Sequence, residues 1–128
     1  MFSNRSMRTK YSQHLKSAEE RGLDSSLSYH EFFKLKVSDC YYCDIPSMFL
    51  ELYSEYMGLK TPYMTIDRKN SSLPYTEKNT VAACAMCNRV KSNIFDHIEF
   101  KEIAQKYIKP KWLKHKDDVE DDYDNWSY

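Results

Sequence analysis

Apolar residues recur with a helical period at the start of the chain. Met7, Tyr11, His14, Leu15 and Ala18 fall on one face, and Gly22 follows as a stop. Ser28-Tyr29-His30-Glu31 has the form of a capping box, with Leu27 and Phe32 placed as its hydrophobic staple, so a second helix is expected over 29–37. Pro46 suits the first turn of a third helix, with Phe49, Leu52, Tyr53 and Tyr56 on one side and Gly58 at its end. The period then changes. Residues 63–67 read as a short strand, 69–78 as a polar turn and 80–83 as a second strand. Helical spacing returns over 84–94. A last helix is expected over 98–108, where Phe100, Ile103, Ala104, Tyr107 and Ile108 share a face and Pro110 ends it. The pattern predicts an α+β domain with N-terminal helices in 5–37 and a ββα unit over 63–95.

Composition sharpens this picture. In 128 residues there are only 2 glycines and 15% aromatics, which suits one compact, mostly helical domain over 1–116. No stretch approaches the roughly 18 apolar residues of a membrane span, and the N-terminus lacks a basic-then-apolar signal pattern. A soluble, intracellular protein is expected, with no membrane partner. The zero net charge hides a division. Residues 1–116 hold all 19 basic residues against 13 of the 19 acids, a net +6, whereas six acids fall between Asp117 and Asp124. A basic body suits a polyanion partner. The acidic segment 117–128 is expected to be a disordered, solubilising tail, the alternative being a phosphate mimic laid over the basic body.

All 4 cysteines lie in two brackets, Cys40-Tyr41-Tyr42-Cys43 and Cys84-Ala85-Met86-Cys87. In a reducing compartment, paired C-x-x-C units are metal ligands sooner than disulfides. Two pairs complete a tetrahedral thiolate shell and leave no open position, so the expected zinc is structural. The alternative is four unrelated buried cysteines.

Between and beyond the brackets stand Ile66-Asp67-Arg68, Tyr75, Asn79 and Asn88-Arg89-Val90-Lys91. Together with the cysteines they resemble the HNH (ββα-metal) endonuclease family, over about Leu27 to Phe95. The branch they most resemble has arginine in place of the usual histidine, as in PacI-type restriction and phage HNH nucleases. The resemblance implies a DNA endonuclease that hydrolyses phosphodiester bonds with one magnesium-type ion, held by Asp67 and Asn88. A homodimer would provide two sites for double-strand cutting, and a bacterial or phage-infected cytoplasm is the implied setting. Asn79 matches the family's middle asparagine, which pins the loop between the strands.

Where most members carry a base histidine this chain has Arg68, whose guanidinium stays charged and cannot accept a proton at neutral pH. Arg68 suits instead the scissile phosphate and its developing charge. The resemblance to PacI-type sites implies a tyrosine as the water-activating base, Tyr41 or Tyr42; the alternatives are one of His14, His30, His97 and His115, or metal-bound hydroxide acting alone. Arg89, Lys91 and Lys69 are candidates for phosphate-backbone contacts. Trp112 reads as an anchor for the terminal segment in preference to a base-stacking residue. Two rival readings remain: a non-catalytic zinc-stabilised DNA-binding module, with Asp67 and Arg68 as a local ion pair and Asn88 as a helix cap, and a protein-interaction module.

Overall fold

The computed structural model describes residues 4–126, so residues 1–3 of the expected domain and 127–128 of the expected tail lie outside the described residues. Helix α1 spans Asn4–Glu20 and α2 spans Tyr29–Lys36. The capping box forms as its residue types require: the Ser28 hydroxyl accepts from the Glu31 amide at 3.1 Å, and the Glu31 carboxylate accepts from the Ser28 amide at 2.8 Å. Two orphan amides at the helix start are thereby satisfied, worth about 1 kcal/mol.

Pro46 precedes a 3-10 turn, Ser47–Phe49, that leads into α3, Leu50–Met57. Gly58 closes α3 at φ 68°, a left-handed conformation costly for other residues. Strand β1 (Thr65–Arg68) pairs antiparallel with β2 (Thr80–Ala83), with Asp67 opposite Val81 and Arg68 opposite Thr80. A two-stranded ribbon is marginal alone. Here α2 packs on both strands, as does α4 (Ala85–Lys91), which begins at the second cysteine bracket.

The C-terminal third departs from expectation in two places. Helix α5, His97–Ile103, does not stop at Pro110. It widens into a π-helical segment, Ala104–Ile108, in which the Lys109 amide bonds the Ala104 carbonyl, and continues as α6, Lys109–Leu113. Proline lacks an amide proton and crowds the preceding turn. The wider π turn absorbs that defect and carries the helix through.

The second departure is the acidic segment. Residues expected to be disordered form α7, Lys116–Trp126, which packs on α3 and the 3-10 turn. Val119 is fully buried, Tyr123 meets Phe49 edge-on at 5.1 Å, and the Tyr56 hydroxyl donates to Asp122. The acids obscured an apolar pair four residues apart, which is enough to seat one helical face.

The main core gathers around the cysteines and includes Tyr42, Ile45, Leu50, Tyr53, Met64, Phe100 and Trp112. A smaller cluster of Ala18, Leu27 and Tyr75 joins α1 to the inter-strand loop. Among the described residues no helix is long and apolar enough to cross a membrane.

A cysteine clip and the candidate active site

The first bracket is a tight knuckle. Its turn places Asp44 at φ 64°, with the Asp44 amide bonded to the Cys40 carbonyl and the Cys40 amide to the Ile45 carbonyl. The C-terminal helices clamp it from outside. Trp112 Nε1 donates to the Cys43 carbonyl at 2.9 Å, Gln105 donates to the Tyr42 carbonyl at 2.7 Å, and Lys109 pairs with Asp44 at 3.0 Å. Trp112 is thus a buried anchor. The Tyr41 amide bonds the Ala82 carbonyl at 2.8 Å, tying the knuckle to β2 just before the second bracket.

All four sulfurs lie within 4.8 Å of one another and are buried. A tetrahedral ion with bonds of about 2.3 Å sets its sulfurs roughly 3.8 Å apart. Cys43 and Cys84 Sγ stand at 3.8 Å. Backbone amides of Cys84 and Cys87 point at Cys40 and Cys84 Sγ, each at 3.4 Å, which favours thiolates. The cluster therefore fits a closed metal shell.

Beside the clip, Asp67 occupies the third position of β1 and is 7% exposed. Its Oδ2 accepts from the Tyr42 hydroxyl at 2.5 Å and lies 3.3 Å from Lys91 Nζ. Burial pushes the Asp67 carboxyl above its ordinary value, opposed by the Tyr42 hydrogen bond and by Lys91. Two expectations change here. Lys91, expected to face a phosphate backbone, is 1% exposed and also donates to the Arg68 carbonyl at 3.1 Å, so it is an internal counter-ion. Tyr42, expected as one of the two tyrosine candidates for the base, is fully buried and donates its proton to Asp67. Burial and that carboxylate push the Tyr42 phenol far upward, the wrong direction for a base. Its place is to orient Asp67.

Tyr41 is only half-buried, with the Lys101 ammonium 4.0 Å from its ring centroid and that of Lys69 at 5.8 Å. Lys69 stands partly exposed just past β1, and Arg89 is exposed on α4. Of the histidines, His30 is exposed on α2, His97 starts α5 and His115 stacks on Tyr56. His14 is different and lines a cleft between α1, α2 and β1.

Arg68 ends β1 with Nη1 donating to the carbonyls of Ser71 and Leu73, at 2.6 and 3.0 Å, and its guanidinium 5.3 Å from the Tyr75 ring centroid. One edge of the guanidinium is thereby fixed by the inter-strand loop. Asn79 holds that loop: Nδ2 donates to the carbonyls of Asn70 and Pro74, at 3.1 and 2.9 Å, while Oδ1 accepts from the Asn70 amide at 3.0 Å. Asn88, on the first turns of α4, donates to Thr65 Oγ1 at 2.8 Å, which connects it to β1. Helix α4 packs on β1, so the oxygens of Asp67 and Asn88 come from adjoining elements. A carboxylate and a carboxamide suit a hard divalent ion whose other positions go to water and phosphate.

Sequence reasoning missed the cleft between α1, α2 and β1. Its volume is about 470 Å³, and its lining includes Lys10, His14, Arg21, Lys36, Thr65 and Asn88. These residues carry no common motif, and only the packing of distant helices unites them.

Comparison with known proteins agrees on the fold. The rare-cutting HNH restriction endonuclease PacI superposes with a TM-score of 0.71 over 86% of this chain and 81% of that chain, at 22% identity. An uncharacterized protein of Acanthamoeba polyphaga mimivirus is 36% identical over 85 residues, 66% of this chain. The chain spans only 14% of that curated relative's length. No family model matches the sequence. The chain has an HNH-like fold: a small antiparallel pair and a helix beside a four-cysteine cluster, with flanking helices.

Proposed function

We propose that the chain is a zinc-clipped DNA endonuclease that hydrolyses phosphodiester bonds with one magnesium-type ion. The observation that carries this reading is the grouping of Asp67, Arg68 and Asn88 on β1 and α4 beside the four-cysteine cluster, on an HNH-like fold. Zinc, held by Cys40, Cys43, Cys84 and Cys87, joins the knuckle to the start of α4 and has no open position for chemistry. Asp67 and Asn88 hold the divalent ion. When bound there, the ion would supply charge neutralisation at the phosphate and the leaving 3′ oxygen.

The remaining chemistry belongs to the chain's own side chains. Arg68, oriented by two loop carbonyls, presents its free edge to the phosphate and stabilises the charge that develops there. Tyr42 fixes the rotamer of Asp67, and Lys91 offsets the cost of burying that carboxylate. Tyr41, acting as its phenolate with its ring beside the ammonium groups of Lys69 and Lys101, takes the proton from the attacking water and becomes the phenol. Exposed Arg89 and half-exposed Lys69 add backbone contacts that give affinity without sequence information. DNA is the partner on this reading.

A second reading has one observation in its favour. Asp67 already has a counter-ion in Lys91, as expected if it were purely structural in a non-catalytic DNA-binding module. Plasmid nicking separates the two. The nuclease reading expects relaxation of supercoiled DNA that depends on added magnesium or manganese. Salt-sensitive binding without cleavage, across varied DNA substrates, would leave the binding module.

A further inference from the structure

Buried ammonium groups are ordinarily paired, because desolvating an isolated charge costs several kcal/mol. Lys91 follows that rule with Asp67, and the more exposed Lys109 and Lys116 have Asp44 and Glu120. Lys36 does not. It is 9% exposed at the end of α2, its Nζ donates to the neutral Met64 carbonyl at 2.7 Å, and its charge lies over the rings of Tyr63 and Phe32 at 5.0 and 5.4 Å. Among the described residues no carboxylate pairs with it.

The surroundings add positive charge instead of removing it. Lys10 lies 4.1 Å from the centroid of the same Tyr63 ring, and Arg21 also lines the cleft while donating to the Tyr75 hydroxyl at 2.6 Å. Neutral donors complete the wall, including Ser17, Gln13 and Asn88, and among the described residues no acidic side chain lines it. A cleft of about 470 Å³ lined, among the described residues, by three cations and no carboxylate has the composition of an anion site.

We infer that the cleft between α1, α2 and β1 is a phosphate-binding subsite, with Lys36 at its floor and Lys10 and Arg21 at its sides. Phosphate fits this lining because its oxygens accept from several ammonium, guanidinium and hydroxyl donors at once. Two titrating groups feel the same positive surroundings. Burial and the nearby Lys10 bring Lys36 down to about 8, and burial with Lys36 and Arg21 lowers His14. Asn88 reaches the same cleft, so the subsite adjoins the proposed reaction centre. That its phosphate belongs to a DNA strand rests on the nuclease reading; phosphate binding itself does not.

The test uses the zinc-loaded full chain and reads binding, with no divalent ion added beyond zinc. Fluorescence anisotropy measures affinity for short labelled duplexes over a range of salt. Thermal shift measures binding of inorganic pyrophosphate through the stabilisation it gives. Lys36→Met and Lys10→Gln are the variants; Lys10 is only partly buried, so its replacement leaves the fold intact if the inner substitution does not.

For a backbone phosphate, each variant should weaken duplex binding roughly tenfold whatever the sequence, and reduce the log–log salt slope by about 0.9. Unchanged duplex binding with loss of the pyrophosphate shift would assign the subsite to a free phosphate ligand. Wild-type values in both measurements would overturn the subsite. A chain that never cleaves DNA but loses affinity in these variants would remove the nuclease reading and leave the phosphate site standing.

Discussion

Replacing Lys91 with methionine tests the most consequential contact in the site. The substitution keeps most of the side-chain length but removes the only ammonium within 4 Å of the Asp67 carboxylate among the described residues. Asp67 would then be a buried carboxylate with the Tyr42 hydroxyl as its remaining partner. Removing one member of a buried ion pair costs about 3–5 kcal/mol, because the other charge stays desolvated. With total stabilities of roughly 5–15 kcal/mol, that is a large fraction. At a urea dependence of about 2 kcal/mol per molar, the unfolding midpoint should fall by about 2 M.

The sign of the pH dependence follows from Asp67. Its carboxyl is already raised by burial, and losing Lys91 raises it further. A folded-state value above the unfolded one means the folded chain holds the proton more tightly. The penalty in Lys91→Met is therefore full at pH values above the folded-state value and is relieved as pH falls through it. The double variant Lys91→Met/Asp67→Asn should recover most of the loss, since no charge remains buried. Urea unfolding of the three proteins by circular dichroism, with zinc content checked, measures all of this. A midpoint change under about 0.5 M in Lys91→Met, together with a salt slope for DNA binding reduced by about 0.9, would refute the reasoning. It would mean Lys91 faces phosphate, as the sequence first suggested.

Other consequences follow from the same geometry. Tyr41→Phe should lower the cleavage rate by about two orders of magnitude or more, as for loss of a general base. Tyr42→Phe should lower stability by about 1.5–3 kcal/mol, through the lost hydrogen bond to a charged group, with a smaller effect on the chemical step. Single-turnover kinetics beside urea unfolding separate the two, and equal rate losses would contradict the division of roles. Chelating zinc, or replacing Cys43 with serine, should abolish cooperative unfolding, because the knuckle and α4 lose their common anchor. Retention of the helical signal and a sharp transition without metal would show the clip is dispensable. Val119→Asp should detach α7 from α3 at a cost of about 2 kcal/mol or more, from lost burial and an added buried charge, readable as a lower thermal midpoint. An unchanged midpoint would restore the picture of a loose acidic tail.

The parts of this site legible in the sequence are those set by local chemistry. The cysteine spacing foretold the cluster, Ser28 and Glu31 foretold the start of α2, and Asn79 could be read as the pin of the inter-strand loop. The parts that were not legible depend on neighbours far along the chain. Lys91 reads as a surface base until β1 folds against α4 and brings Asp67 to its ammonium. Tyr41 and Tyr42 are equivalent in sequence, and only the knuckle's turn sends one inward to a carboxylate and leaves the other half-exposed. Lys36 and Lys10 share a cleft because α1 and α2 close over β1, which no spacing rule records. Proline at position 110 signalled an end that the π segment overrode, and six acids hid the seat of Val119.

The central claim is that Asp67, Arg68 and Asn88 form a metal-dependent nuclease site on a zinc-held scaffold. Supercoiled plasmid incubated with the zinc-loaded chain and magnesium tests it most directly, run beside Arg68→Ala and Asn88→Ala proteins of equal zinc content. The account predicts nicking or linearisation by the wild type that requires the added ion, and no detectable cleavage by either variant. Cleavage by both variants at the wild-type rate, or none by the wild type on any DNA form with either magnesium or manganese, would contradict it.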